Sequence, residues 1–202
     1  MSLPVPPMSS LIFVTHPEVV IDPHQPVPEW PLSAVGRARM ERFAETIAES
    51  GVTAVYASAE RKARDGAEIV AERLGLPVAV DPELGENDRS ATGYIAPPEF
   101  WEVVAEFFGR PDESIRGWER AVDAQARILR AIQRAAADET SGDIVVVSHG
   151  GVGSLLTDHL QNVPIGKGTR PPHAGGGCSL VIGRNPLALL RDWRTVEDHG
   201  RD

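Results

Sequence analysis

Apolar positions fall into short continuous runs separated by longer amphipathic stretches. Leu11-Ile12-Phe13-Val14 and Ile144-Val145-Val146-Val147 are unbroken apolar runs, the pattern of strands covered on both faces by helices. Val52–Tyr56 and Val78–Val80 read as two further strands, and Ser179–Ile182 with Ala188–Trp193 as a closing pair. Helices are expected between them. Ser33 caps one over 34–50, stopped by Gly51, and Ser58 caps another running to Leu74, stopped by Gly75. Trp101, Val104, Ala105 and Phe108 share one face of a third helix. A fourth runs from Trp118 to about Asp138, and a fifth from Gly151 to Gln161. Alternating strands and helices predict an α/β three-layer sandwich with a mainly parallel central sheet.

The 202-residue length fits one domain, taken as residues 11–202, with a helical cap insertion at about 88–120 where specificity is expected to reside. Five prolines between residues 17 and 31 make that stretch a long loop, and Pro4, Pro6 and Pro7 suggest a disordered tail over residues 1–10. The formal charge of −9 argues against a general nucleic-acid binder, which needs a basic surface. A lone Cys178 cannot form an intrachain disulfide, and no apolar run reaches the length of a membrane span. A cytoplasmic protein is therefore expected, with no membrane partner and with its oligomeric state open.

In open α/β sheets ligands bind beyond the carboxyl ends of the strands. Two such ends here carry histidine in the same relative place: His16 after Phe13-Val14-Thr15, and His149 after Val146-Val147-Ser148. If the strands are neighbours, both imidazoles reach one crevice. A neutral imidazole can attack phosphorus, and a protonated one can donate to a phosphoryl oxygen. Glu86-Asn87-Asp88-Arg89 supplies two carboxylates, either of which could be a proton donor. A dinucleotide site is not expected, because Leu156 stands where the third fingerprint glycine belongs, and His16, Asp22 and His24 lack the spacing of a metal site.

The chain resembles the histidine phosphatase superfamily, the phosphoglycerate mutase-like proteins. Five motifs carry the resemblance over roughly residues 11–182: Thr15-His16-Pro17 in the place of the family's Arg-His-Gly, Pro31-Leu32-Ser33-Ala34-Val35-Gly36 opening the first helix, Ser58 followed by Lys62-Ala63, Leu84-Gly85-Glu86, and Ser148-His149-Gly150-Gly151. The resemblance implies a phosphoglycerate mutase-like fold and a phosphatase needing no metal or other cofactor. His16 would be the phosphorylated nucleophile, Glu86 the proton donor with Asp88 in reserve, and Thr15, Lys62 and His149 the phosphate-binding groups. The substrate would be a small phosphorylated metabolite, or a phosphohistidine on a protein.

Three departures bear on activity. Thr15 and Lys62 stand where the family has arginines, and an ammonium is a point charge where a guanidinium grips two oxygens. Pro17 replaces a glycine and lacks an N–H. Arg61, Arg64, Arg89, Arg116 and Arg170 are the cations available to compensate, Arg61 and Arg89 being the foremost auxiliaries. The competing expectation is a catalytically weak pseudoenzyme that binds an anion or a protein partner on the same fold.

Overall fold

The computed structural model describes residues 9–138 and 140–200. Its elements run β1 (Ser10–Thr15), α1 (Ala34–Thr46), β2 (Val52–Ala57), α2 (Arg61–Leu74), β3 (Val78–Val80), α3 (Glu99–Gly109), α4 (Ala121–Ala136), β4 (Asp143–Ser148), α5 (Gly150–Leu160), β5 (Cys178–Arg184) and β6 (Leu187–Thr195). The six strands form one sheet in the order β3-β2-β4-β1-β5-β6. β1, β2, β3 and β4 run parallel, and β5 and β6 add antiparallel at one side. Among the described residues no helix is long and apolar enough to cross a membrane.

The continuous apolar runs have the cause inferred for them. Leu11, Phe13, Ile144 and Val146 face one way, into a core shared with α3, α4 and α5. Ile12, Val14, Val145 and Val147 face the other way, onto α1 and α2. Each strand is thus buried on both sides, and the sheet lies between two layers of helices. Residues 88–120 add Val103, Phe107, Ile115 and Trp118 to the first of these cores.

Several boundaries differ from the sequence expectation. The strand begins at Ser10, whose N–H donates to Asp143 Oδ1 at 2.7 Å, so the expected tail does not extend to residue 10. Residues 1–8 of that tail lie outside the described residues. Ser33 does cap α1, accepting from Gly36 N–H at 3.1 Å, but the helix ends at Thr46 and the chain reaches Gly51 through turns. Ser58 is not the cap of α2. That position belongs to Glu60, and the Ser58 hydroxyl is held elsewhere. Trp118 precedes α4 because its indole N–H is drawn to Thr92 Oγ1 at 2.8 Å. On α3 the buried face is Val103 and Phe107, while Trp101 is 51% exposed. The indole has no core to meet on that side, so helical spacing alone misplaced it.

Buried Arg39 and half-buried Arg127 brace the loops at the carboxyl end of the sheet. Arg39, on α1, reaches Glu197 (2.7 and 3.2 Å), Glu18 (2.9 Å) and the carbonyls of Gly176 (3.2 Å) and Gly177 (3.1 Å). Gly177 in turn donates to the carbonyls of Thr15 and His16. Arg127, on α4, donates to the carbonyls of Glu83 (2.8 Å), Gly85 (2.9 Å) and Glu86 (3.1 Å).

Gly36 is a tight point of this packing beside the site loop. A side chain there would collide with the Glu18 carbonyl. That carbonyl cannot simply retreat, since it accepts Ser33 N–H at 2.9 Å. Gly36→Ala is expected to destabilise the fold by about 1–3 kcal/mol, the usual cost of overpacking. Urea unfolding of the variant beside the parent measures it.

Candidate active site

β1 and β4 are adjacent and in parallel register, Thr15 opposite Ser148, and His16 N–H donates to the Ser148 carbonyl at 3.0 Å. Each strand therefore delivers its next residue to the same place. The His16 and His149 rings meet edge to face, with centroids 5.2 Å apart and planes at 69°. His149 is fully buried, and His16 is half-buried.

The His16 ring has a defined tautomer. Nδ1 lies 2.8 Å from the Pro17 carbonyl. A carbonyl only accepts, so Nδ1 carries the proton and Nε2 holds the free lone pair. Burial, then the nearby His149 and Lys62, push the His16 pKa down to about 3, so the ring is neutral at pH 7. Pro17 thus removes a donor from the loop, while its carbonyl orients the nucleophile candidate.

His149 makes its contacts through Nε2, which lies 2.8 Å from Ser58 Oγ and 3.4 Å from Glu60 Oε1. Its Nδ1 is buried and has no hydrogen-bond partner among the described residues. Burial lowers the His149 pKa. Glu60 and Glu86 work against that shift, and Lys62 and Arg89 reinforce it.

Glu60 is the residue that sequence reasoning missed. Its Oε2 pairs with Lys62 Nζ, and its Oε1 accepts Glu86 N–H at 2.9 Å. Burial opposes its charge, yet His149 and Lys62 outweigh burial and hold its pKa at about 2. One sequence signal could have exposed it: a carboxylate stands two residues before the lysine found where an arginine was expected. Lys62 is 3% exposed and also donates to the Val27 carbonyl at 3.0 Å, so two of its three N–H groups are engaged within the protein.

Glu86 lies where the sequence put it, in contact with the cluster, but in a different role. Its carboxylate accepts from Gly151 N–H and Val152 N–H, both at 2.9 Å, and from Asn87 N–H at 3.1 Å, and Arg89 pairs with it at 3.2 Å. It caps the amino end of α5, where His149 at the N-cap position offers no side-chain bond. Burial resists the charge, but Arg89, His149 and the Gly151 N–H together lower its pKa. A general acid must hold a proton at the start of the step. The contacts of Glu86 in this arrangement favour its ionised form.

The other expected residues divide plainly. Arg89 belongs to the cluster, bonded to Glu86 and to Asn87 Oδ1 (3.0 Å) and lying over the Phe100 and Trp118 rings. Thr15 does not reach the crevice. Its side chain is 1% exposed, and its hydroxyl accepts Cys178 N–H at 3.0 Å on the β5 side. Its expected phosphate-binding role is therefore corrected: the hydroxyl serves to join strands. Asp88 is exposed and accepts Ser90 N–H at 2.8 Å, so it holds a turn and is no reserve acid. Arg61 and Arg64 are exposed, Arg116 pairs with Glu99, and Arg170 pairs with buried Asp158 at 2.9 Å. These four are not gathered with the histidines. Among the described residues, no group of three or more His, Cys, Asp or Glu is arranged to hold a metal ion.

Residues 11–188 match the histidine phosphatase superfamily (branch 1). The chain belongs to that superfamily. Its relatives include Rv0525, an uncharacterized protein of Mycobacterium tuberculosis, to which it is 29% identical over 126 residues. That stretch is 61% of this chain and 62% of the relative, so the match spans under two thirds of the relative's length. Among solved structures the histidine phosphatase fold recurs in YhfR from Bacillus stearothermophilus (22% identity, TM-score 0.76, 91% of this chain and 96% of that one). It recurs in a mycobacterial glucosyl-3-phosphoglycerate phosphatase complexed with inorganic phosphate (21% identity, TM-score 0.74, 94% and 99%). A phosphoglycerate mutase from Bacillus anthracis shares it as well (16% identity, TM-score 0.69, 91% and 92%). At these identities the likeness establishes a phosphoglycerate mutase-like α/β fold.

The buried histidines make the fold acid-sensitive. The His16 pKa is about 3 in the folded protein, that of His199, which is buried beside Phe43, is about 4, and that of His149 is lowered. An unfolded histidine titrates near 6.5, so below that pH the unfolded chain binds protons that the folded one refuses. Stability is fully present above about pH 6.5 and is lost as pH falls toward the folded values. Glu60 and Glu86, also lowered, add a second loss below about pH 4.5. A pH series of urea midpoints checks this, and His199→Phe is expected to flatten the decline between pH 6.5 and 4.

Proposed function

We propose that this histidine phosphatase superfamily member is a phosphatase acting through a phosphohistidine at His16 on a small phosphorylated metabolite, without a metal. The observation that carries the reading is the edge-to-face pair of His16 and His149, with Nδ1 of His16 bound to the Pro17 carbonyl and Nε2 left with its lone pair. In the first step Nε2 attacks phosphorus, an Nε2–P bond forms and the P–O bond of the ester breaks. His149 donates to a phosphoryl oxygen, and the Lys62 charge lies near the same groups. Water then attacks the phosphohistidine, releasing inorganic phosphate and restoring the ring.

The carboxylates shape the choice of substrate. Glu60 and Glu86 are both engaged as acceptors, so a proton for a departing alkoxide would have to displace one of these contacts. This favours phosphoryl groups whose leaving group is stable as an anion, such as aryl esters. Such a substrate is the fitting assay.

Turnover of 4-nitrophenyl phosphate in the presence of EDTA is expected, and His16→Ala is expected to lower it by at least about 10³-fold, as loss of a nucleophile does. Acid-labile, base-stable phosphate on His16 after rapid quenching is the direct sign of the intermediate. Equal rates in parent and variant would overturn the reading.

A further inference from the structure

We propose that Glu60 is a positioning residue that holds His149 in its Nε2–H tautomer and stabilises its second proton when a phosphoryl group arrives. The inference rests on the reading of this crevice as a phosphoryl site. Two oxygens face Nε2 of His149, Ser58 Oγ at 2.8 Å and Glu60 Oε1 at 3.4 Å. The hydroxyl can donate or accept, so it does not decide where the ring proton sits. The carboxylate only accepts and would repel a lone pair on Nε2. The proton therefore resides on Nε2, and the lone pair on Nδ1.

That Nδ1 is the buried nitrogen without a partner. A proton gained there, directed at a phosphoryl oxygen, completes the bonding of the ring and places a cation against the anion. A carboxylate behind an imidazole fixes its tautomer and favours the charged form. Glu60 is itself held in place, by Lys62 Nζ at one oxygen and Glu86 N–H at the other.

The groups bearing on His149 come from every neighbouring element. Glu60 and Glu86 favour its protonation, and Lys62 and Arg89 oppose it. His16 stands edge-on beside it at the end of β1. Of the two carboxylates, Glu60 is the one with an oxygen near a ring nitrogen. The same arrangement explains how the site functions with Lys62 where an arginine was expected: the lysine is committed to Glu60 and Val27, and the phosphoryl donor becomes His149.

The test uses the full chain and the variants Glu60→Gln, Lys62→Met and Ser58→Ala. Ring-nitrogen NMR of His149 during titration with inorganic phosphate reads the tautomer and the added proton without reference to turnover. The pH profile of 4-nitrophenyl phosphate hydrolysis reads the same ring in action. The parent and Ser58→Ala are expected to show Nε2–H, with a second proton on Nδ1 once phosphate binds. Glu60→Gln is expected to lose the tautomer preference and to move the basic limb of kcat down by about 1–3 pH units, the effect of removing an adjacent opposite charge. Lys62→Met removes a cation instead, so its basic limb moves up. An unchanged tautomer and pH profile in Glu60→Gln would overturn the proposal, as would a downward shift in Lys62→Met. If no protein in the set hydrolyses the ester, the phosphatase reading fails, and the phosphate titration still decides the role of Glu60.

Discussion

The pairing of β1 with β4 is the constraint on which the site depends. Parallel strands in register end together, so a histidine placed one residue beyond each is delivered to a shared crevice without any loop having to find it. The bond from His16 N–H to the Ser148 carbonyl extends the ladder to the first catalytic candidate. The apolar faces of both strands, buried above and below, prevent the slip of register that would separate the rings.

Around this frame the charges are arranged in a closed set. Glu60, Lys62, Glu86 and Arg89 pair with one another, with backbone groups or with His149. Buried charges of this kind persist only when each has a partner, because removing one leaves the other unpaired in a poor solvent. The result is a neutral pair of imidazoles beside cations and anions that offset each other. On the proposed reading, the positive charge that meets a phosphoryl group is made on arrival, by protonation of His149, more than stored beforehand.

Much of this was legible in the chain. The unbroken runs at 11–14 and 144–147 have no stable home except between two helical layers, so the fold class followed from pattern, and the meeting of His16 with His149 required in addition that the two strands be neighbours, as they are. What was not legible concerns charged residues whose place depends on tertiary geometry. Arg39, Glu60 and Arg127 carry no local signal of their roles, because spacing along the chain cannot tell solvent from a ring of loop carbonyls. Glu86 was found by its place in a motif, but its role follows from the amino end of α5, a feature assembled from residues 65 positions away. Trp101 failed in the opposite sense: its spacing matched a buried face that the neighbouring chain does not cover.

Thr15 points to a constraint on redesigning the site. Its hydroxyl and the Cys178 N–H form a latch between β1 and β5, closed over from solvent. Restoring the larger residue expected at this position would evict that latch and ask the adjoining strand to rebuild. Thr15 is thus locked in by its surroundings: the strand partner and the crevice would have to change together with it.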